Sequence, residues 1–165
     1  LNLTKVARRV NAILYAWHPG SMGAYALADI LFGDSEPGGR LPVSLPRHTG
    51  QIPVHYNFKS TGKSFDVVGK KVGKEYQEVE RYQDQPSSPL YPFGYGLGYT
   101  TYTYADIHID RTEVHAGYPV TVSAAVTNIG LRPGSEVAQC YVQDCVASVT
   151  RPVRELKSFQ RVSLR

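Results

Sequence analysis

Between residues 89 and 102 the chain reads Pro-Leu-Tyr-Pro-Phe-Gly-Tyr-Gly-Leu-Gly-Tyr-Thr-Thr-Tyr, and the residue patterns on its two sides are unlike each other. Aromatic rings alternating with glycines supply rigid packing surfaces next to positions where the backbone can turn or approach another segment closely. The run therefore reads as a hinge piece between two domains, and each side has to be read by itself.

On the amino-terminal side, Ala-Ile-Leu-Tyr-Ala-Trp at 12–17 is an unbroken apolar run closed by Pro19 and Gly20. It suits a strand covered on both faces, as in a parallel sheet. A helix is expected next, because Gly23, Ala26, Leu27, Ile30 and Leu31 recur at helical spacing, with Ser21 placed to cap its start and Gly33 to end it. One strand-loop-helix unit cannot bury its own apolar faces, so this stretch reads as the tail of a larger α/β domain. From Asp34 to about Pro89, Pro37-Gly38-Gly39, Pro42, Pro46, Pro53 and Pro86 punctuate a sequence of little periodicity, which predicts a long connection lying on the surface.

Beyond Thr100 the pattern becomes alternating. Val120, Val122, Ala124 and Val126 fall on one side of a strand and Thr121, Ser123, Ala125 and Thr127 on the other. Strands are expected at about 103–110, 119–127, 136–143 and 156–164, with turns at His115-Ala116-Gly117 and Asn128-Ile129-Gly130. Four antiparallel strands suggest the first part of a small β-sandwich, about half of a seven-stranded one.

Composition narrows the function classes. At 42% hydrophobic and 19% charged the chain is globular in character. The net charge of +4 has one local excess, at Lys63, Lys70, Lys71 and Lys74, but glycine and valine are interleaved there rather than aromatics, so it reads as a solvated loop and not a nucleic-acid surface. No apolar stretch approaches the length that crosses a bilayer, and the start at Leu1 has neither an initiator Met nor a signal pattern, so the chain reads as beginning mid-protein. Cys140 and Cys145 stand five apart, on opposite faces of any one strand, and form neither a disulfide framework nor a metal-ligand spacing.

Two constellations could carry chemistry. Ser21, in Pro19-Gly20-Ser21-Met22-Gly23, occupies the place of the nucleophile in a G-x-S-x-G elbow, with His48, His55, His108 and His115 as conceivable bases. Proline stands where the elbow has its first glycine and fixes φ where freedom is needed, so a helix cap is the simpler reading. Glu75, Glu78, Glu80 and Asp84 form a carboxylate-rich stretch beside Arg81 and Tyr82, and glycoside hydrolysis needs two carboxyl groups at a fixed separation. These acids alternate with lysine, glutamine and arginine, which fits a solvated loop equally well.

Three blocks in order resemble glycoside hydrolase family 3, and most closely its periplasmic bacterial β-glucosidases. The first runs from Val10 to Asp34 and on through Gly38-Gly39-Arg40-Leu41-Pro42 to Arg47. The second comprises Gly50-Gln51-Ile52-Pro53-Val54-His55-Tyr56-Asn57, Arg81-Tyr82-Gln83-Asp84 and the hinge run. The third comprises Asn128-Ile129-Gly130, Gly134 to Asp144 and Ser148 to Phe159. The resemblance implies the end of an α/β-sandwich domain at 1–47, a linker at 48–98, and the opening part of a fibronectin type III-like β-sandwich at 99–165. It also implies a retaining, exo-acting β-glycosidase of the periplasm or the secreted fraction, working without a cofactor on β-glucosides or oligosaccharides. Such enzymes use an aspartate of an amino-terminal barrel and a glutamate earlier in the second domain. Neither motif has a counterpart here, so no catalytic residue and no metal ligand is carried over, and substrate-binding residues stay unassigned. The chain alone is expected to be inactive, with the barrel and the rest of the α/β domain as its partners. The loop from His18 to Met22 is the part nearest to substrate, and Met22 stands where the family commonly has glutamate. Alternatives are a β-xylosidase of the same family, a non-catalytic carbohydrate-binding or adhesion module, and a serine esterase at Ser21.

Overall fold

In a computed structural model, residues 2–59, 71–72, 75–76 and 86–165 are described, those at 71–72 and 75–76 by their backbone alone. The elements in chain order are α1 (Thr4–Ala7), α2 (Gly23–Phe32), a 3-10 turn (Thr49–Gln51), β1 (Lys71–Val72), β2 (Glu75–Tyr76), β3 (Tyr102–Ile109), β4 (Val122–Asn128), β5 (Gly134–Val142) and β6 (Glu155–Leu164). Strands thus predominate, and they pair as three antiparallel two-stranded ladders: β1 with β2, β3 with β4, β5 with β6.

Helix α2 forms where the apolar spacing places it. Its end is the expected one: Gly33 is left-handed at φ 86°, and the N–H groups of Gly33 and Asp34 close onto the carbonyls of Ile30 and Asp29. Its start differs. The N-cap is Met22, not Ser21, and no side chain caps the helix. Gly20, at φ 71°, turns the backbone so that its own carbonyl accepts from Gly23 N at 3.2 Å, and a main-chain acceptor takes the place of the serine hydroxyl.

The apolar run 12–17 is not a strand, contrary to its pattern. A strand exists through its ladder, and no described segment lies beside this run to form one. The four later strands lie within about three residues of their expected positions. Pairing runs from Tyr102↔Asn128 to Ile109↔Val122, with a bulge between Ala105 and His108 where Asp106 takes a positive φ of 50°. The second ladder runs from Gly134↔Leu164 to Val142↔Glu155, with an irregularity at Cys140/Tyr141. Both cysteines are free thiols.

The expected surface connection holds the most buried residues described. Leu45 is 6% exposed, and Pro46, Gln51, Ser87 and Pro89 are buried with it. Leu45 bridges to Tyr91, its N–H donating to Tyr91 O at 2.8 Å while its carbonyl accepts from Leu90 N at 2.9 Å. Gln51 Nε2 donates to Pro86 O at 2.9 Å, Gln51 Oε1 accepts from Arg47 N at 2.7 Å, and Arg47 Nε donates to Ser88 O at 2.9 Å. Composition misleads here because prolines end secondary structure without ending burial: backbone and side-chain hydrogen bonds supply the partners that a ladder would.

The hinge run meets this knot and the β5 strand together. Leu41 N donates to Tyr95 O, Gly94 N to Leu41 O, and Phe93 N to Ser44 Oγ. Tyr91 stacks on Tyr95 at 5.3 Å between ring centroids, and Phe93 on Tyr56 at 4.1 Å. Its glycines are needed for space: at Gly96 a Cβ would stand 2.5 Å from Gly39 O, and at Gly94 it would run into Gln139 Oε1 and the Tyr141 hydroxyl.

Candidate functional site

The turn into α2 is the most unusual stretch of backbone on the helical side. Trp17 has a φ of 50°, which is strained for any residue with a Cβ, and such strain is held in place only by its surroundings. Here the holders are local. The Trp17 ring meets Tyr15 edge-on at 4.5 Å, and Pro19 packs so closely on Gly23 that a Cβ there would stand 2.5 Å from Pro19 Cβ. The turn presents Trp17, His18, Ser21 and Met22 as exposed side chains in front of the helix N-terminus. It carries aromatic, imidazole, hydroxyl and thioether groups and no carboxylate. It can therefore shape a surface against a ligand, but it cannot supply an acid-base pair.

Among the described residues no hydrogen bond joins Ser21 to a histidine. His48 Nδ1 instead accepts from Gly50 N at 3.0 Å, capping the 3-10 turn. Glu78, Glu80, Asp84, Arg81 and Tyr82 lie outside the described residues, as do Lys63, Lys70 and Lys74, and of Glu75 and Lys71 only the backbone is described. No group of three or more His, Cys, Asp and Glu is placed to hold a metal ion among the described residues, and no described helix is long and apolar enough to cross a membrane.

The charged groups that the fold does bring together were not legible as pairs. Arg40 Nη2 donates to Glu136 Oε2 at 2.7 Å across 96 residues of sequence, with the two side chains 10% and 16% exposed, and the Tyr104 hydroxyl donates to Glu136 Oε1 at 3.2 Å. Arg132 Nη2 reaches Gly33 O at 2.8 Å with its guanidinium 5.5 Å from the Tyr99 ring centre, and Arg161 Nη2 reaches Gly38 O at 3.2 Å. Glu36 accepts from Ser135 N, while its Oε2 and the Tyr102 hydroxyl are buried without partners, both crowding Gly134. Of these, the Arg132–Gly33–Tyr99 and Glu36–Ser135 contacts line a crevice of about 450 Å³ between residues 33–36 and 132–135. They fasten the helical part to the strands, and none of them points into the Trp17–Gly23 turn.

Burial, followed by the Glu36 and Glu136 carboxylates, raises the Tyr102 phenol above its ordinary value of 10.0. The folded state thus disfavours ionised Tyr102. Its contribution is fully present below about pH 10 and is lost as pH rises through the raised folded-state value. Urea midpoints measured between about pH 8 and about pH 11 should fall more steeply for the wild type than for Tyr102→Phe.

Comparisons with known proteins give this framework a family. Residues 1–99 match the family model described as glycosyl hydrolase family 3 C-terminal domain, and residues 136–165 match a fibronectin type III-like domain. The chain is 44% identical over 165 residues to the periplasmic beta-glucosidase of Salmonella typhimurium and 39% identical over 165 residues to a beta-xylosidase of Formosa agariphila; each alignment takes in 100% of this chain and 21% of the relative. A crystal structure of beta-glucosidase from Listeria innocua in complex with glucose superposes with a TM-score of 0.86 at 39% identity, over 100% of this chain and 22% of that one. The chain therefore spans about a fifth of the length of these relatives. With the first model matched over residues 1–99 of 165, the chain belongs to glycosyl hydrolase family 3.

Proposed function

We propose that the chain is the carboxyl-terminal framework of a retaining, exo-acting β-glycosidase that releases terminal β-D-glucosyl residues, and that it contributes no catalytic group. The observation that carries this reading is the 44% identity maintained over all 165 residues to a protein named as a periplasmic beta-glucosidase. The same relative supports a periplasmic or secreted location. Residues 1–47 act as the end of an α/β sandwich, 48–98 as the connection, and 99–165 as the first part of a fibronectin-like sandwich.

Retention at the anomeric carbon requires two carboxyl groups about 5–5.5 Å apart, one as nucleophile and one as acid and then base. Run 12–17 has no ladder within the described residues; read as joining the α/β sheet of the intact enzyme, it puts the Trp17–Gly23 turn where such sheets receive ligands, and that turn holds no acidic residue. Its exposed Trp17 and Met22 accordingly serve as a wall of the cleft, excluding water from one side of the sugar while the carboxylates come from elsewhere in the enzyme. A second reading, β-xylosidase, is favoured by the 39% identity to a protein of that name.

The test uses the intact polypeptide that contains this chain, assayed with aryl β-glucoside and aryl β-xyloside. The expected result is faster release from the glucoside, with the β-anomer of glucose appearing first by proton NMR. Faster release from the xyloside would favour the second reading, and hydrolysis of neither would reject both.

A further inference from the structure

A groove of about 350 Å³ runs between the hinge and the start of β6, lined by Tyr56, Phe93, Tyr95, Tyr104, Tyr141 and Arg154 among others. That volume is at the lower end of the range for small-molecule sites. Its walls are fixed. Tyr56 stacks on Phe93 and meets Tyr141 edge-on at 6.1 Å, the Tyr56 hydroxyl accepts from Leu156 N at 3.3 Å, and Val153 N donates to Phe58 O at 2.9 Å. Tyr95 and Tyr104 remain 38% and 46% exposed along the opening.

Of the polar side chains lining this groove, Glu136, Gln139 and Tyr141 have partners, and Arg154 keeps one donor without any. Both oxygens of Glu136 are taken, by Arg40 and Tyr104. Gln139 accepts from the Tyr141 hydroxyl at 2.6 Å and donates to Gly94 O at 3.0 Å. Arg154 differs: its Nε is buried without a hydrogen-bond partner, and its guanidinium lies 5.9 Å from the Tyr141 ring centre. Among the described residues no carboxylate pairs with it, whereas Glu136, the groove's acidic side chain, is already neutralised by Arg40 from outside the lining. A buried N–H donor left unpaired is costly, and the planar fork of the half-buried Arg154 guanidinium matches a carboxylate in bidentate geometry.

We infer that this groove is a binding site for a six-membered ring bearing one carboxylate, with the carboxylate on Arg154 and the ring against the tyrosines. The positive charge of Arg154, paired with no carboxylate among the described residues, selects the anion, and the aromatic lining selects the ring. Two sources share that chemistry, a sugar acid and an aromatic acid, and they are separated by experiment. The site is distinct from the Trp17–Gly23 turn and does not depend on the proposed hydrolytic activity.

The test labels arginine Nε with ¹⁵N in the intact polypeptide and titrates glucuronate and 4-hydroxybenzoate, with glucose and acetate as controls that each carry one of the two features. The expected result is a saturable shift of the Arg154 Nε–H signal with at least one of the two ring acids, about tenfold tighter than with acetate and absent with glucose. In Arg154→Gln the affinity, read by calorimetry with the same acids, should weaken by about tenfold or more, and Arg154→Lys should recover part of it. Thermal melting verifies that the variants fold, and Arg154→Lys alone decides the matter if the glutamine variant does not. No saturable shift with either acid, equal response to glucose, or unchanged binding in the variant would overturn the inference.

Discussion

Replacing Gly94 by alanine should destabilise the protein by about 2–4 kcal/mol, the largest effect of any single methyl group added to the hinge. Two costs act together. Gly94 has a φ of 78°, in the left-handed region, and the added Cβ would collide with Gln139 Oε1 and the Tyr141 hydroxyl. Those two groups hydrogen-bond each other, and Gln139 also holds Gly94 O, so neither can swing away without leaving a polar atom unpaired. Gly20 gives the contrast. It is equally left-handed at 71° with nothing near the position of a Cβ, so Gly20→Ala should carry the backbone cost alone, about 1 kcal/mol. Urea unfolding of the two variants side by side checks the difference; equal losses would show that close packing of the hinge on β5 contributes nothing.

The second large effect belongs to the Arg40–Glu136 pair. Each single replacement, Arg40→Met or Glu136→Leu, should cost about 3–5 kcal/mol, because it leaves the other group buried without its counter-charge and its hydrogen bond. Arg40→Met combined with Glu136→Leu should cost less than the sum of the two single losses, since no charge is then stranded, although the Tyr104 hydroxyl loses its acceptor. A double-mutant cycle by denaturant unfolding measures the coupling. Additive losses would mean that the pair is not a unit. Because Arg40 lies just after the helical part and Glu136 on β5, the pair ties the segment that leads away from the Trp17–Gly23 turn to the strand framework.

Much of this was open to reading from residues. The end of α2 at Gly33, the four later strands and the close-packed glycines of the hinge follow from spacing, turn chemistry and residue size, all of them local. The helix start was misread because a backbone carbonyl from Gly20 can do what a serine hydroxyl does, and residue identity does not reveal which one acts. The run 12–17 was read as a strand from its apolarity, but pairing is a property of neighbours and not of the run. Leu45 and Gln51 resemble surface connection because proline density signals irregular backbone, while their burial depends on Tyr91 and Pro86, more than thirty positions away. The same distance hid Arg40–Glu136, and Arg154, whose Nε has no hydrogen-bond partner among the described residues, carried no local signal in the sequence.

The central claim is that this chain frames a glycosidase without supplying its chemistry. The most direct measurement compares release of the aglycone from an aryl β-glucoside by the intact polypeptide and by residues 1–165 alone, at equal molar concentration. The account predicts hydrolysis by the intact polypeptide and a rate no greater than buffer for the 165 residues. Turnover by the 165 residues would contradict it, because a working carboxylate pair would then have to lie within this chain.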